Sequence, residues 1–180
     1  MENKIARFAG GCFWCVEHDL REVFGVVDVI SGYAGEMGGN PSYENHKGFI
    51  EAVEVIYDPL KTSFKKLVQF FLDHIDPTDE DGQFFDRGES YKTAIYYVNE
   101  EEKDIALALL KELEESGVYD KPIVVKALPE TKFYKAEEYH QKYAEKNPIH
   151  YEAYKEGSGR SRFQAKVCNI RDEKRIIWKD

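Results

Sequence analysis

The sequence predicts an α+β domain, and three observations carry that prediction. Alternating apolar runs and helix-period runs succeed one another in the order β-α-β-β-α-β, then α-β-α. A chain of 180 residues suits one domain with a core of its own. Its 42% apolar and 14% aromatic content is that of a folded chain rather than a disordered one. The first six elements match the split βαβ, ferredoxin-like arrangement: a two-layer α/β sandwich with helices on one face of an antiparallel-containing sheet. A helix-strand-helix extension and an irregular C-terminal tail over 155–180 complete a single domain, 1–180.

Each element has its own signal. Residues 5–9 read as a short strand ending at Gly10-Gly11. From 12 to 24, Phe13, Val16, Leu20, Val23 and Phe24 recur at helical spacing, and Gly25 ends the helix. A strand over 26–31 precedes a loop over 32–48 rich in glycine and holding Pro41. Residues 49–57 alternate as a third strand closed by Asp58-Pro59. The helix over 63–75, capped by Thr62 or Ser63, turns Phe64, Leu67, Phe71 and Ile75 to one face. An acidic loop over 76–90 leads to a strand over 91–98, and the helix over 100–116 ends at Gly117. A strand over 123–128 follows, then a helix over 135–146 stopped by Asn147-Pro148. Gly157-Ser158-Gly159 marks the remainder as loose.

Charge and composition exclude several classes. With 25 basic against 34 acidic residues the net charge is −9, which argues against general nucleic-acid binding. From Lys155 onward eight Lys/Arg stand against four Asp/Glu, so the tail is basic. No apolar run approaches the ~20 residues of a membrane span. The opening MENKIARF lacks the apolar core of a signal peptide, so a cytoplasmic protein is expected. Three cysteines are too few for a disulfide scaffold and suit a catalytic, redox or buried role.

Cys12 falls where a strand ends, a Gly-Gly turn passes and a helix begins. Free amides and the dipole of a first helical turn favour an anion, so a lowered thiol pKa is expected there. Cys15 lies one turn on, on the same helix face, a candidate redox partner. Half a zinc site is the competing reading, but no second CxxC or HxxxH pattern supplies the other ligands. A nucleophile needs a proton donor, and the strand FIEAVEVIY offers Glu51 on one face and Glu54 on the other. Both faces are mainly apolar, and a buried carboxyl stays protonated near neutral pH, as a general acid must. The pattern alone leaves the choice between them open. Among twelve tyrosines, Tyr43 in the glycine-rich loop and Tyr91 at a strand start are candidate hydrogen-bond donors.

GGCFWCVE at 10–17 resembles the signature of the class A peptide methionine sulfoxide reductases. SGYAG at 31–35, NPSY at 40–43, EAVEVIYDP at 51–59, HIDPTD at 74–79, YKTAIYY at 91–97 and FYKAEEYHQKY at 133–143 follow in that family's order. The resemblance implies that Cys12 is the nucleophile and Glu51, not Glu54, the acid. It implies sulfoxide-binding roles for Tyr43 and Tyr91, a methyl pocket of Phe13 and Trp14, and a substrate-placing role for Asp86. The implied reaction reduces methionine-S-sulfoxide, in proteins and free, through a Cys12 sulfenic acid and then a disulfide. No metal or organic cofactor is expected. Thioredoxin, or dithiothreitol in vitro, is the implied external reductant, and a monomer acting on oxidised proteins and peptides the expected form. Two departures stand out: Gly48-Phe49-Ile50 replaces the Gly-His-Ala of many members, and Cys15 replaces a glycine.

Two thiols compete to resolve the sulfenic acid. Cys15 is near in sequence but strains the first helical turn. Cys168, in the basic tail, is the first choice because a flexible partner avoids that strain, and a relay through both is a further option. Two other classes are carried alongside. A thioredoxin-type dithiol oxidoreductase also wants CxxC at a helix start, but places small residues or proline where Phe13 and Trp14 stand. A ferredoxin-like binding module would hold its cysteines as structural or metal-bound groups.

Overall fold

The computed structural model describes residues 2–36, 38–174 and 178. The chain runs β1 (Lys4–Gly10), α1 (Phe13–Arg21), β2 (Val26–Ala34), β3 (Ile50–Tyr57), α2 (Phe64–His74) and a small hairpin of β4 (Gly82–Gln83) and β5 (Asp86–Arg87). It continues through β6 (Thr93–Tyr97), α3 (Glu100–Glu115), β7 (Lys126–Pro129), β8 (Phe133–Lys135), α4 (Tyr143–Lys146), α5 (Pro148–Gly157) and α6 (Arg160–Lys174). Six strands form one mixed sheet in the order β7-β6-β1-β3-β2-β8, antiparallel throughout except where β6 meets β7. This is an α+β fold built on a central sheet.

Alternation along the strands separates two faces. One carries Ala6, Phe8, Val29, Val53 and Val55, which pack under Leu20 and Val16 of α1, Leu67 and Phe71 of α2, and Leu109 of α3. Phe8 stacks on Phe71 at 5.0 Å. The other face is lined by smaller groups, Ala9, Ala34, Ala52 and Ala94, beside Tyr96. Large residues thus meet the helices, and the pleat sends the small ones away from them.

The Gly10-Gly11 turn at the end of β1 is required by close packing. A Cβ on Gly10 would stand 2.7 Å from the Phe71 ring and 2.9 Å from Val16. Gly11 has φ +78°, where other residues are strained, and lies against Gln83. The fully buried Gln83 side chain ties down its loop through the backbone N–H and C=O of Asp76. Gly10→Ala is expected to destabilise the protein by about 1–3 kcal/mol through overpacking. A urea midpoint equal to that of the parent would refute this.

The structure departs from the sequence reading in its last third. The helix expected over 135–146 is replaced by edge strand β8, a short 3-10 turn at Glu138–His140 and the four-residue α4. Tertiary pairing overrides helical periodicity here. β8 approaches β2 at Gly32, where a Cβ would stand 2.4 Å from the Tyr134 carbonyl oxygen. Gln141 then accepts from the Ser31 amide and donates to the Ser31 and Ala136 carbonyls, and Glu17 accepts the Lys142 amide. Lys142 takes φ +53° between these two anchors.

The expected irregular tail over 155–180 is a second correction. Lys155 to Gly157 close α5, and Arg160–Lys174 form α6. Pro148 opens α5 instead of marking a stop, because proline's missing N–H costs nothing at a first helical position. Gly159, at φ +82°, makes the turn between the two helices. The end of the chain beyond Lys174, apart from Trp178, lies outside the described residues. No described helix is long and apolar enough to cross a membrane.

Candidate active site

Cys12 is the N-cap of α1, with its own carbonyl accepting from the Cys15 and Val16 amides. The next residue, Phe13, donates its amide to Glu51 Oε2 at 3.0 Å. Glu51 reaches this point from β3, where it pairs across from Tyr33 of β2. The same strand turns Glu54 the other way, to Arg7 at 2.8 Å. The two glutamates left open by the strand pattern therefore have different tasks, Glu54 in an ion pair and Glu51 beside the cysteine.

Burial decides the protonation of Glu51. It is 2% exposed, and removal from water, reinforced by the negative charge of Asp86, pushes its carboxyl up to about 8 despite the Phe13 amide. At neutral pH it is a carboxylic acid. Because Oε2 accepts the Phe13 N–H, the proton belongs on Oε1.

The expectation for Cys12 is corrected. Its pKa is raised, chiefly by burial, with the Cys15 sulfur, Glu51 and Asp86 adding to the rise. Of the first-turn amides credited with stabilising its anion, Phe13 serves Glu51 and Cys15 serves the Cys12 carbonyl. Cys15 moves the opposite way. The Cys12 thiol beside it and the Arg160 guanidinium lower its pKa in spite of complete burial. Burial and the neighbouring sulfur thus favour Cys12 as a thiol, while the groups around Cys15 favour its charged form.

The remaining sequence-derived residues gather around this pair. Tyr43, 40% exposed, is held by its amide on Glu137, and burial beside Glu51 and Cys12 pushes its phenol up to about 12. Tyr91 follows Gly88 in a 3-10 turn, and burial near Glu51, Asp86, Tyr43 and Cys12 raises its phenol as well. Both stay protonated donors. Asp86, at the hairpin, accepts a hydrogen bond from Tyr154, and its carboxyl is raised mainly by burial. Phe13 is fully buried between Tyr33 and His140, with centroids at 5.7 and 5.1 Å. Trp14 is half-buried, stacks on Tyr143 at 3.8 Å and donates Nε1–H to His140 Nδ1 at 3.0 Å.

The structure separates the two resolving candidates. Cys15 shares a buried cluster with Cys12 and Tyr151. Cys168 is exposed on α6, two helical turns past Arg160, about 12 Å along the axis. The tail expected to be flexible around Cys168 is a helix, and Cys12 is the N-cap of α1 rather than a residue of its first turn.

Sequence reasoning missed the roof of the site. Tyr151 and Tyr154 of α5 and Arg160 of α6 close over the cysteines, and Lys155 pairs with Asp19 at 3.0 Å. The signal was present in YEAYK, two tyrosines at i, i+3, once Pro148 is read as a helix start. Among the described residues no group of three His, Cys, Asp or Glu side chains is placed to hold a metal ion.

Residues 4–171 match a family model described as peptide methionine sulfoxide reductase. The chain is 49% identical over 166 residues to the peptide methionine sulfoxide reductase MsrA of Bacillus velezensis, covering 90% of this chain and 94% of that one. It resembles the crystal structure of Mxr1 from Saccharomyces cerevisiae in reduced form, with TM-score 0.74 and 30% identity over 82% of this chain and 87% of that one. Mxr1 in complex with Trx2 matches at TM-score 0.57 and 24% identity, over 79% and 86%.

Proposed function

Because the chain belongs to the peptide methionine sulfoxide reductase family, we propose that it reduces methionine-S-sulfoxide to methionine with Cys12 as nucleophile and Glu51 as proton donor. The observation that carries the residue assignment is the protonated Glu51 carboxyl anchored on the amide next to Cys12. The Cys12 thiol gives up its proton to solvent, and the thiolate attacks the sulfoxide sulfur while Glu51 gives its proton to the sulfoxide oxygen. Methionine departs reduced by two electrons, and Cys12 is left as a sulfenic acid. Tyr43 and Tyr91, both protonated, hydrogen-bond the oxygen as it takes on charge. Phe13 and Trp14 provide the apolar wall for the substrate methyl group, and Asp86 helps to place the substrate.

We assign resolution to Cys15, in place of Cys168. The buried cluster that Cys12 and Cys15 share and the lowered Cys15 pKa support this reading. Thioredoxin then reduces the disulfide by thiol exchange; the Trx2 complex of the yeast relative supports that partner. Such recycling suits a reducing, cytoplasmic setting and a monomer. The order β6-β1-β3-β2 supports a split βαβ, ferredoxin-like core for this site.

A peptide carrying resolved S- and R-methionine sulfoxide, assayed with dithiothreitol, tests the activity. Turnover of the S epimer alone is expected, and turnover of insulin disulfides in its place would overturn the reading. A disulfide map after one turnover without reductant tests the resolver. It should show Cys12–Cys15, and Cys168→Ser should recycle with thioredoxin as the parent does. A Cys12–Cys168 bond as first product would overturn the Cys15 assignment.

A further inference from the structure

His140 is 1% exposed, buried behind the wall that Phe13 and Trp14 form. It ends the 3-10 turn at Glu138–His140, and the residues after it hold that turn in place. Gln141 is bonded to Ser31 and Ala136, and the Lys142 amide to Glu17. The imidazole centroid lies 4.5 Å from that of Tyr43 and 5.1 Å from that of Phe13. Packing alone would be served as well by phenylalanine. What phenylalanine could not do is accept the Trp14 Nε1–H, which His140 Nδ1 does at 3.0 Å.

That bond fixes the tautomer of the imidazole. An indole nitrogen only donates, so Nδ1 carries no proton and the ring hydrogen sits on Nε2. Burial lowers the pKa of the ring against the pull of Glu137, which keeps it neutral. Nε2 is buried without a hydrogen-bond partner and faces Glu137 Oε2 at 3.6 Å. The Glu137 carboxylate is itself held at both oxygens, Oε1 by the Tyr43 amide at 2.9 Å and Oε2 by the Tyr33 hydroxyl at 3.0 Å. The indole needs such an anchor. Stacking on Tyr143 at 3.8 Å sets the plane of Trp14 but leaves the ring free to slide and turn within that plane. A directed bond to its one polar atom removes that freedom.

We propose that His140 is a positioning residue that determines specificity: through its bond to the Trp14 indole it fixes the width of the pocket for the substrate methyl group. This rests on the reading of Trp14 as a wall of that pocket. With the indole fixed, a methyl group fits and an ethyl group meets the wall. With the indole free, the wall gives way to the extra methylene. Glu137 extends the arrangement. One carboxylate joins the residue behind the methyl wall to the backbone of Tyr43, the residue assigned to the sulfoxide oxygen. The methyl group and the oxygen, both carried by the sulfoxide sulfur, are thereby held at a set separation.

The test measures kcat and KM for one peptide carrying the S-sulfoxide of methionine or of ethionine, with dithiothreitol, in the parent, His140→Phe and His140→Asn. Phenylalanine keeps the ring and loses the acceptor. Asparagine loses the ring and keeps an acceptor, its Oδ1, near the place of Nδ1. The parent should prefer the methyl sulfoxide by about tenfold or more in kcat/KM. His140→Phe should raise KM for the methyl sulfoxide about threefold to tenfold, the worth of one hydrogen bond, and cut the methyl preference by a similar factor. Its kcat should stay within about twofold of the parent, because binding and not the chemical step is loosened. His140→Asn should keep the methyl preference within about twofold of the parent, because the anchor of the indole remains. A packing role alone predicts the reverse, His140→Phe like the parent and His140→Asn impaired, and would overturn the proposal. The parent offers a readout that does not depend on any variant folding. A nitrogen–nitrogen coupling across the hydrogen bond from Trp14 Nε1 to His140 Nδ1 should be seen by NMR, and its absence overturns the proposal too. The parent also separates the two claims. Turnover of neither sulfoxide, or of both alike, refutes the pocket reading and the proposal together, whereas a parent preference left unmoved by His140→Phe refutes His140 alone.

Discussion

Cys12→Ser is expected to reduce S-sulfoxide turnover to background in the dithiothreitol assay, with the fold intact. Serine is nearly the same size, so the cluster of Cys12, Cys15 and Tyr151 keeps its packing. Its hydroxyl is far less acidic than a thiol and cannot be oxidised to a sulfenic acid, so both the attack and the disulfide are lost. The chemical step, not binding, disappears: substrate affinity measured by titration should stay within a few fold of the parent. Turnover within tenfold of the parent would move the nucleophile to Cys15 and undo the assignment of the acid as well, since Glu51 is anchored on the amide beside Cys12.

Glu51→Gln separates catalysis from stability. Glutamine keeps a carbonyl oxygen for the Phe13 amide but has no transferable proton, so turnover should fall by about 10²–10⁴ with binding retained. The pH profile should change in a defined way. In the parent, the acid is lost as pH rises through about 8, which produces the falling limb. That limb should vanish in the variant. A comparable loss in Glu54→Gln, with Glu51→Gln active, would overturn the assignment, because Glu54 is committed to Arg7.

The stability consequence has the opposite sign to the activity loss. The Glu51 carboxyl is raised in the folded state, from the ordinary 4.5 to about 8. Below about 4.5 both folded and unfolded chains carry the proton, and its contribution is fully present. As pH rises the unfolded chain releases the proton first, so this contribution is lost progressively up to about 8. The loss is at most about 5 kcal/mol, from ~1.4 kcal/mol per unit. Glutamine does not ionise. The variant should therefore gain on the parent in urea midpoint between pH 5 and pH 8, even as it loses function. A constant difference across that range would refute a raised Glu51.

What was legible in the sequence is the part governed by local rules. Alternation in Ile50–Tyr57 and the three-to-four spacing of Phe64, Leu67 and Phe71 mark elements whose faces pack as the pattern requires. Cys12 at a strand-to-helix turn was visible for the same reason. Other features depend on what else competes for a group. The first-turn amides predicted an acidic Cys12, but Glu51, thirty-eight residues on from Phe13, takes the Phe13 amide. The segment after Phe133 has helical periodicity, yet Gln141 and Glu17 anchor it against β2 and α1. Pro148 carries the same letters as a stop signal and acts as a start. α6 has little apolar asymmetry to advertise it, and the side chain it buries most deeply is a single arginine.

The bond from Arg160 to the Gly10 carbonyl spans 150 residues. Translation runs from the N-terminus at about 5–20 residues per second, and a nascent segment must clear the ribosome before it docks. The reactive cysteines are therefore made among the first residues, while the group that completes their surroundings is made near the last. Until then, Cys12 and Cys15 lack the cover that buries them in the finished fold. The site is completed only when the C-terminal helices close, so an interrupted or truncated product carries the full signature GGCFWCVE without the roof over it.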